Sequence, residues 1–320
     1  MPPTRSLAVS ALVLACCLPI APAQAQLSRT FVSAAIGSDA NNCDRATPCR
    51  SFQGAHDKTN ADGEITVLDT GGYGTVAVTK SISIVNDGIG EASILVSGGV
   101  TGITINGGAA AYVNLRGLTV QGIGFGGGQG LVFNSGFALT ITNCVFRNHT
   151  GAGISFAPHV EGNSNLSIAN TLVADNRGNG IVVSPQANVT ARIALHNVAS
   201  VNNVFVGILV SGTAATGTVD ATVTDSLSAN NGNGGVTSAS DTGRATTTVT
   251  LIRSVVANNK MTGLAAVNVP IAILRVGESA VTGNAKTQLA LGGAVIQSFG
   301  DNYVVGNDDG DPALPPITRK

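Results

Sequence analysis

Charge is scarce in this chain of 320 residues: Asp, Glu, Lys and Arg make up 11% of it, and the formal net charge is −1. So little charge excludes a disordered polyelectrolyte, and the absence of any basic run excludes the clustered cations that a phosphate backbone requires. Nucleic acid is therefore not an expected partner. Tryptophan is absent and aromatic residues are 4%, so no flat stacking platform recurs along the chain. Long apolar runs are confined to the first residues. No stretch of spanning length follows them, and no transmembrane span is expected in the mature chain.

Those first residues, MPPTRSLAVSALVLACCLPIAPAQAQ, combine Arg5, an apolar run from Leu7 to Leu18 and the small residues Ala23-Gln24-Ala25. This is a secretory leader with cleavage after Ala25. Lipidation at Cys16 fits less well, because the apolar run continues past it. Without Arg5 the chain holds 16 basic and 18 acidic residues. Export places the final site in the periplasm, at the cell surface or outside the cell.

Five cysteines are present, and two of them, Cys16 and Cys17, leave with the leader. Cys43 and Cys49 bracket the polar loop NNCDRATPC, and an oxidising compartment favours a disulfide between them. Cys144 reads as a packed small hydrophobe.

Abundant Gly, with Val, Ile, Thr and Asn between, is the chemistry of short strands and turns. One sentence is repeated from Leu139 to Gly292, with copies beginning at Leu139, Leu166, Ile193, Ala221, Val249 and Ile273. Aligned on Gly153, Gly180, Gly207, Gly235, Gly263 and Gln288, they lie 27, 27, 28, 28 and 25 residues apart. That is too long for a hairpin and right for one coil of a solenoid. Inward columns follow from the period of two: Ile141, Ile168, Leu195, Val223, Leu251 and Val276, then Ile154, Ile181, Ile208, Val236, Leu264 and Leu289. Asn143, Asn170, Asn197 and Asp225 mark one corner, broken at Arg253 and Glu278. His149, Asn176, Asn203, Asn231, Asn259 and Asn284 mark another, where Asn tolerates left-handed backbone and its amide can bond between coils.

The division expected is a leader over 1–25, an N-terminal cap with the cysteine loop over 26–63, coils over 64–292 and a C-terminal cap and tail over 293–320. Ser51 is placed to cap a short helix with Phe52 and Ala55 on one face. The loop GIGFGGGQG from Gly122 to Gly130 reads as a flexible excursion rather than a dinucleotide loop, because a strand follows it.

The repeat resembles the right-handed parallel β-helix of the pectate lyase-like superfamily, over roughly Glu64 to Asn307. The resemblance implies an all-β solenoid with caps. It leaves function open, because that superfamily spans lyases, hydrolases, epimerases, tailspikes and adhesins.

Outward positions on the last strand of each copy carry Ser, Val, Leu, Thr and Ala with no acid or base. Those on the first strand of the first four copies are nearly as plain, with Thr, Ser and Ala beside His196, and paired carboxylates for hydrolysis are missing. One polar cluster stands out: Arg147 and His149 on one coil, Asp175 and Arg177 on the next. It would suit an anion-binding or lyase-like corner and reads equally as solvated turn residues. Phe125 and His196 are candidate binding residues. Asp308, Asp309 and Asp311 are candidate Ca²⁺ ligands, although their spacing matches no complete calcium loop; no other cofactor is expected. The leading reading is an exported, non-catalytic scaffold for surface, adhesive or glycan contact, with a polysaccharide or cell-surface glycan as partner. The alternative is a polysaccharide lyase or epimerase acting on an acidic glycan. Self-association through exposed strand edges or Val182 and Leu209 is a third.

Overall fold

The computed structural model describes residues 27–318. The expected leader and the expected cleavage point after Ala25 lie outside the described residues. No helix among those described is long and apolar enough to cross a membrane.

Each coil has three strands, shown by Ala138–Thr142 on a first face, Val145–Arg147 on a second and Ile154–Phe156 on a third. Three short strands arise because the β-branched alternation is interrupted twice by residues that accept left-handed backbone. At the first corner these are Asn143, Asn170, Asn197, Asp225, Arg253 and Glu278, with φ between 46° and 55°. The turn therefore persists where the Asn pattern breaks. At the second corner they are Asn148, Asp175, Asn202, Asn230 and Asn258, followed by Gly283 and Gly306.

All coil-to-coil pairing is parallel. Ile141 pairs with Ile168, then Leu195, Val223, Leu251 and Val276 in unbroken register, and all six are buried. The third face is a nine-stranded sheet from Val76–Val78 to Lys286–Ala290. The first two faces join as one nineteen-stranded sheet, because strands such as Gly162–Ala174 run around the first corner. The interior between the faces is aliphatic, with Phe133 stacked on Phe156 at 4.6 Å between ring centres. Each fully buried Ile, Leu or Phe contributes about 1.5–3 kcal/mol.

The second corner is tied from inside. From Asn176 to Asn284, the residue after each left-handed position bonds through a buried side chain to the next coil. Asn176 Nδ2 and N donate to Asn203 Oδ1 at 2.9 and 3.2 Å. Asn203 does the same to Asn231, both at 3.0 Å. Asn259, Asn284 and Asn307 continue the ladder. It ends at Asp311, whose Oδ1 accepts from Asn307 N and Nδ2, each at 2.8 Å. The glycine column exists because of this ladder: a Cβ at Gly180 would collide with Ser200 Oγ and Asn203 Nδ2.

The sixth copy is displaced by one residue from the sequence alignment. Leu264 pairs with Gln288, so Thr287 rather than Gln288 continues the glycine column, and Leu291 is half exposed. The shorter last coil is pinned by Asp309, which accepts from Thr287 N and Oγ1, both at 2.8 Å.

At the N-terminal end, a helix over Phe52–Lys58 starts at Ser51, whose side chain accepts from Gly54 N. Gln53 and His56 on this helix accept from Ala77 N and Thr79 N beside the first third-face strand. Beyond the last coil, Pro315 O accepts from Ser298 N at 2.7 Å; prolines supply acceptors where they cannot donate. The loop Gly122–Gly130 is bound between coils rather than free, through Gly128 N to Val100 O and Thr150 Oγ1 to Gly127 O.

Candidate functional site

The second face turns an apolar column outward. Val145, Leu172, Ala199, Leu227, Val255, Ala280 and Tyr303 stand in register on successive coils. Leu172, Leu227 and Val255 are 36%, 36% and 40% exposed, and the small Ala199 leaves a depression between the first two. Sheet spacing of about 4.8 Å separates Leu172 from Leu227 by about 10 Å.

Beside this column runs the first corner, whose left-handed residues project polar side chains. The two together line an open groove of about 710 Å³, with Asn170, Asn197, Asp225 and Arg253 on one side and Leu172, Ala199, Leu227 and Val255 on the other. Asn197 Nδ2 donates to Asn170 Oδ1 at 2.8 Å. Arg253 Nε and Nη2 donate to Asp225 Oδ1 and Oδ2, each at 2.9 Å. This bidentate hydrogen bonding holds the Asp225 carboxyl below the usual carboxylate range. His196, on the adjoining first face, brings Nδ1 to 3.3 Å from Asp225 Oδ2 and 3.1 Å from Thr224 Oγ1.

Chemically, the groove offers amide and guanidinium edges opposite an apolar floor. Asp225 is the only carboxylate and Arg253 the only cation among its lining residues, so a second carboxylate for hydrolysis is missing from it.

A family model described as right-handed beta helix region matches residues 63–224. The chain belongs to this family. Among solved structures, this β-helix is similar to the pectate lyase Pel9A, at a TM-score of 0.63 and 14% identity over 85% of this chain and 75% of that one. A rhamnogalacturonan lyase aligns at a TM-score of 0.45 and 10% identity, over 84% of this chain and 75% of that one. The A-module of the Azotobacter vinelandii mannuronan C-5 epimerase AlgE4 aligns at 0.41 and 14%, over 81% and 91%. At such identities the likeness is one of fold. A sequence search of curated proteins gives no match.

The β-helix does not gather the polar cluster expected around Arg147. Arg147 lies outward on the second face, donating through Nε and Nη2 to Gln121 Oε1 at 3.2 and 2.9 Å. It lines the N-terminal continuation of the groove with Glu91 and Leu172. His149 instead occupies the inward ladder column and is fully buried, with Nε2 3.2 Å from Val120 O. Burial pushes its pKa down. Asp175 sits at the second corner, accepting from Asn202 Nδ2 at 3.2 Å, and Arg177 is exposed beyond it. Chain geometry turns the imidazole inward: His149 is the residue after left-handed Asn148, the position whose side chain is buried again at Asn176, Asn203 and Asn231.

Asp309 and Asp311 spend their carboxylates on Thr287, Gly306 and Asn307, while Asp308 is exposed. Among the described residues, no group of three or more His, Cys, Asp or Glu is arranged to hold a metal ion. The side chain of Phe125 lies outside the described set; its backbone ends a short 3-10 turn. Cys43 and Cys49 form a disulfide. Cys144 is a buried free thiol, pushed up to about 11 by burial. Val182 and Leu209 pair in register on the third face and are partly exposed.

His196 was named from the sequence as a candidate binding residue, whereas Asp225, Arg253 and the outward apolar column were not singled out as a candidate site. The signal was present in the break of the Asn column at Arg253. For the second face it was faint: strands of three residues show too little alternation to reveal which column faces out.

Proposed function

We propose that this β-helix is an exported, non-catalytic scaffold that binds glycan chains in the second-face groove. The observation carrying the reading is the pairing of the apolar steps Leu172, Leu227 and Val255 with the hydrogen-bonding edge Asn170, Asn197, Asp225 and Arg253. Sugar rings present C–H faces and hydroxyl rims to match such a surface, and a groove along the solenoid axis suits a chain rather than a single ring. Export is supported by the leader and by the disulfide in an oxidising compartment.

The non-catalytic part rests on Asp225. Its carboxylate is engaged by Arg253 and His196 and has no second carboxylate across the groove. Lyase or epimerase chemistry at Arg147 needs a base and a means of acidifying the sugar carbon, and the Arg147 Nε and Nη2 groups are occupied by Gln121.

A polysaccharide-binding panel tests this with wild type and Ala199→Phe, which fills the depression between Leu172 and Leu227. Retained glycan binding by wild type, weakened at least about tenfold in the variant, is expected from loss of shape complementarity. Unsaturated product absorbing in the ultraviolet, or new reducing ends, would overturn the non-catalytic reading. Binding that Ala199→Phe leaves unchanged would move the site elsewhere.

A further inference from the structure

The charges in the groove are few, and they are spent on one another. Asp225 and Arg253 meet through two hydrogen bonds of 2.9 Å. His196 also turns Nδ1 toward Asp225. Glu278, one coil further along the same corner, adds its attraction to Arg253. The rest of the lining is amide, hydroxyl, methyl and isopropyl groups. Over this stretch an acidic polymer meets Arg253 as the only lining cation, already bound by Asp225, while Arg147 stands apart on the N-terminal continuation beside Glu91.

Resting on the reading of the groove as a glycan site, we propose that its ligand class is the neutral glycan, and that the Asp225–Arg253 pair is the specificity element excluding acidic chains. The pair is a means of discrimination by charge. Arg253 still presents N–H edges to hydroxyl oxygens, while its charge is cancelled toward carboxylates. Neutral rings then bind through apolar contact over Ala199 and hydrogen bonds to Asn170 and Asn197, a combination only weakly sensitive to salt.

Asp225→Asn provides the test. The residue occupies left-handed backbone, and the same corner already carries Asn at 143, 170 and 197, so the turn accepts the change. The substitution leaves the Arg253 guanidinium uncompensated from that side. Binding is measured for wild type and variant against neutral chains (galactan, xylan, glucomannan and fully methyl-esterified polygalacturonan) and acidic ones (polygalacturonate and alginate). Wild type is expected to bind at least one neutral chain about tenfold more tightly than any acidic one, with little change in about 0.5 M salt. The variant is expected to gain at least about threefold in affinity for an acidic chain at low salt, and to lose that gain in about 0.5 M salt.

Wild-type preference for an acidic chain would overturn this inference and leave the glycan-binding reading standing. An Asp225→Asn variant with no gain for acidic chains would equally overturn it. Wild type that binds neither class would overturn the glycan-binding reading itself, and this inference with it.

Discussion

Both corners of the coil are built on left-handed Asn, yet they hold it for different ends. At the second corner the residue after the turn is buried and bonded to the next coil, from Asn176 through Asn203, Asn231, Asn259 and Asn284 to Asn307. The Asn amide meets each step with an oxygen that accepts two N–H groups of the preceding coil and an NH2 that donates onward to the next. At the first corner the inward tie is lighter, a hydroxyl that accepts from one backbone N–H of the preceding coil at Ser226, Ser254 and Ser279. The outward left-handed position before it is constrained in backbone alone, so Asp225, Arg253 and Glu278 meet it as Asn143 does. A position constrained in conformation but not in side-chain chemistry is free to carry function, and the groove lies along that corner.

The comparison breaks most visibly at the buried corner. Gly180→Ala is expected to cost about 3 kcal/mol, because its Cβ meets Ser200 Oγ, Asn203 Nδ2 and Gly207 O in a region that cannot relax. Urea denaturation would register this as a lowered midpoint. An unchanged midpoint would mean that the ladder tolerates displacement.

A smaller effect is expected where the ladder ends. Backbone and side-chain hydrogen bonds from Asn307 hold the Asp311 carboxyl below its ordinary value. Its contribution to stability is therefore present above the ordinary carboxylate pKa and lost as pH falls through the depressed one. Asp311→Asn should lower the urea midpoint at neutral pH and converge with wild type in strong acid. Parallel curves across that range would remove Asp311 from the account.

Much of the fold was readable because two signals reinforce each other over many coils: inward aliphatic residues such as Ile141, Ile168 and Leu195, and the Asn and Gly between them. The register failed at Gln288, where the last coil shortens and Asp309, distant in the repeat pattern, decides the position of Thr287. The candidate site was harder to read for a related reason. Position in the coil decides orientation, and His149, one residue past a left-handed Asn, turns inward although its composition marks it as functional. Asp225 and Arg253 showed only as failures of an Asn column. Their value comes from the 28-residue separation that brings them into contact, which a single chain displays only after the coils are superposed.

One substitution made at both corners tests the division directly. Asn231→Asp removes two buried N–H donors and places a carboxylate against Ser200 O and Ser228 Oγ, whereas Asn197→Asp copies what already stands at position 225. Equilibrium urea unfolding is expected to show a loss of about 3 kcal/mol or more for Asn231→Asp at neutral pH, relieved as acid protonates the buried carboxyl. Asn197→Asp is expected to stay within about 0.5 kcal/mol of wild type. Equal losses at the two positions would contradict the assignment of the buried Asn ladder to structure and of the outward left-handed column to function.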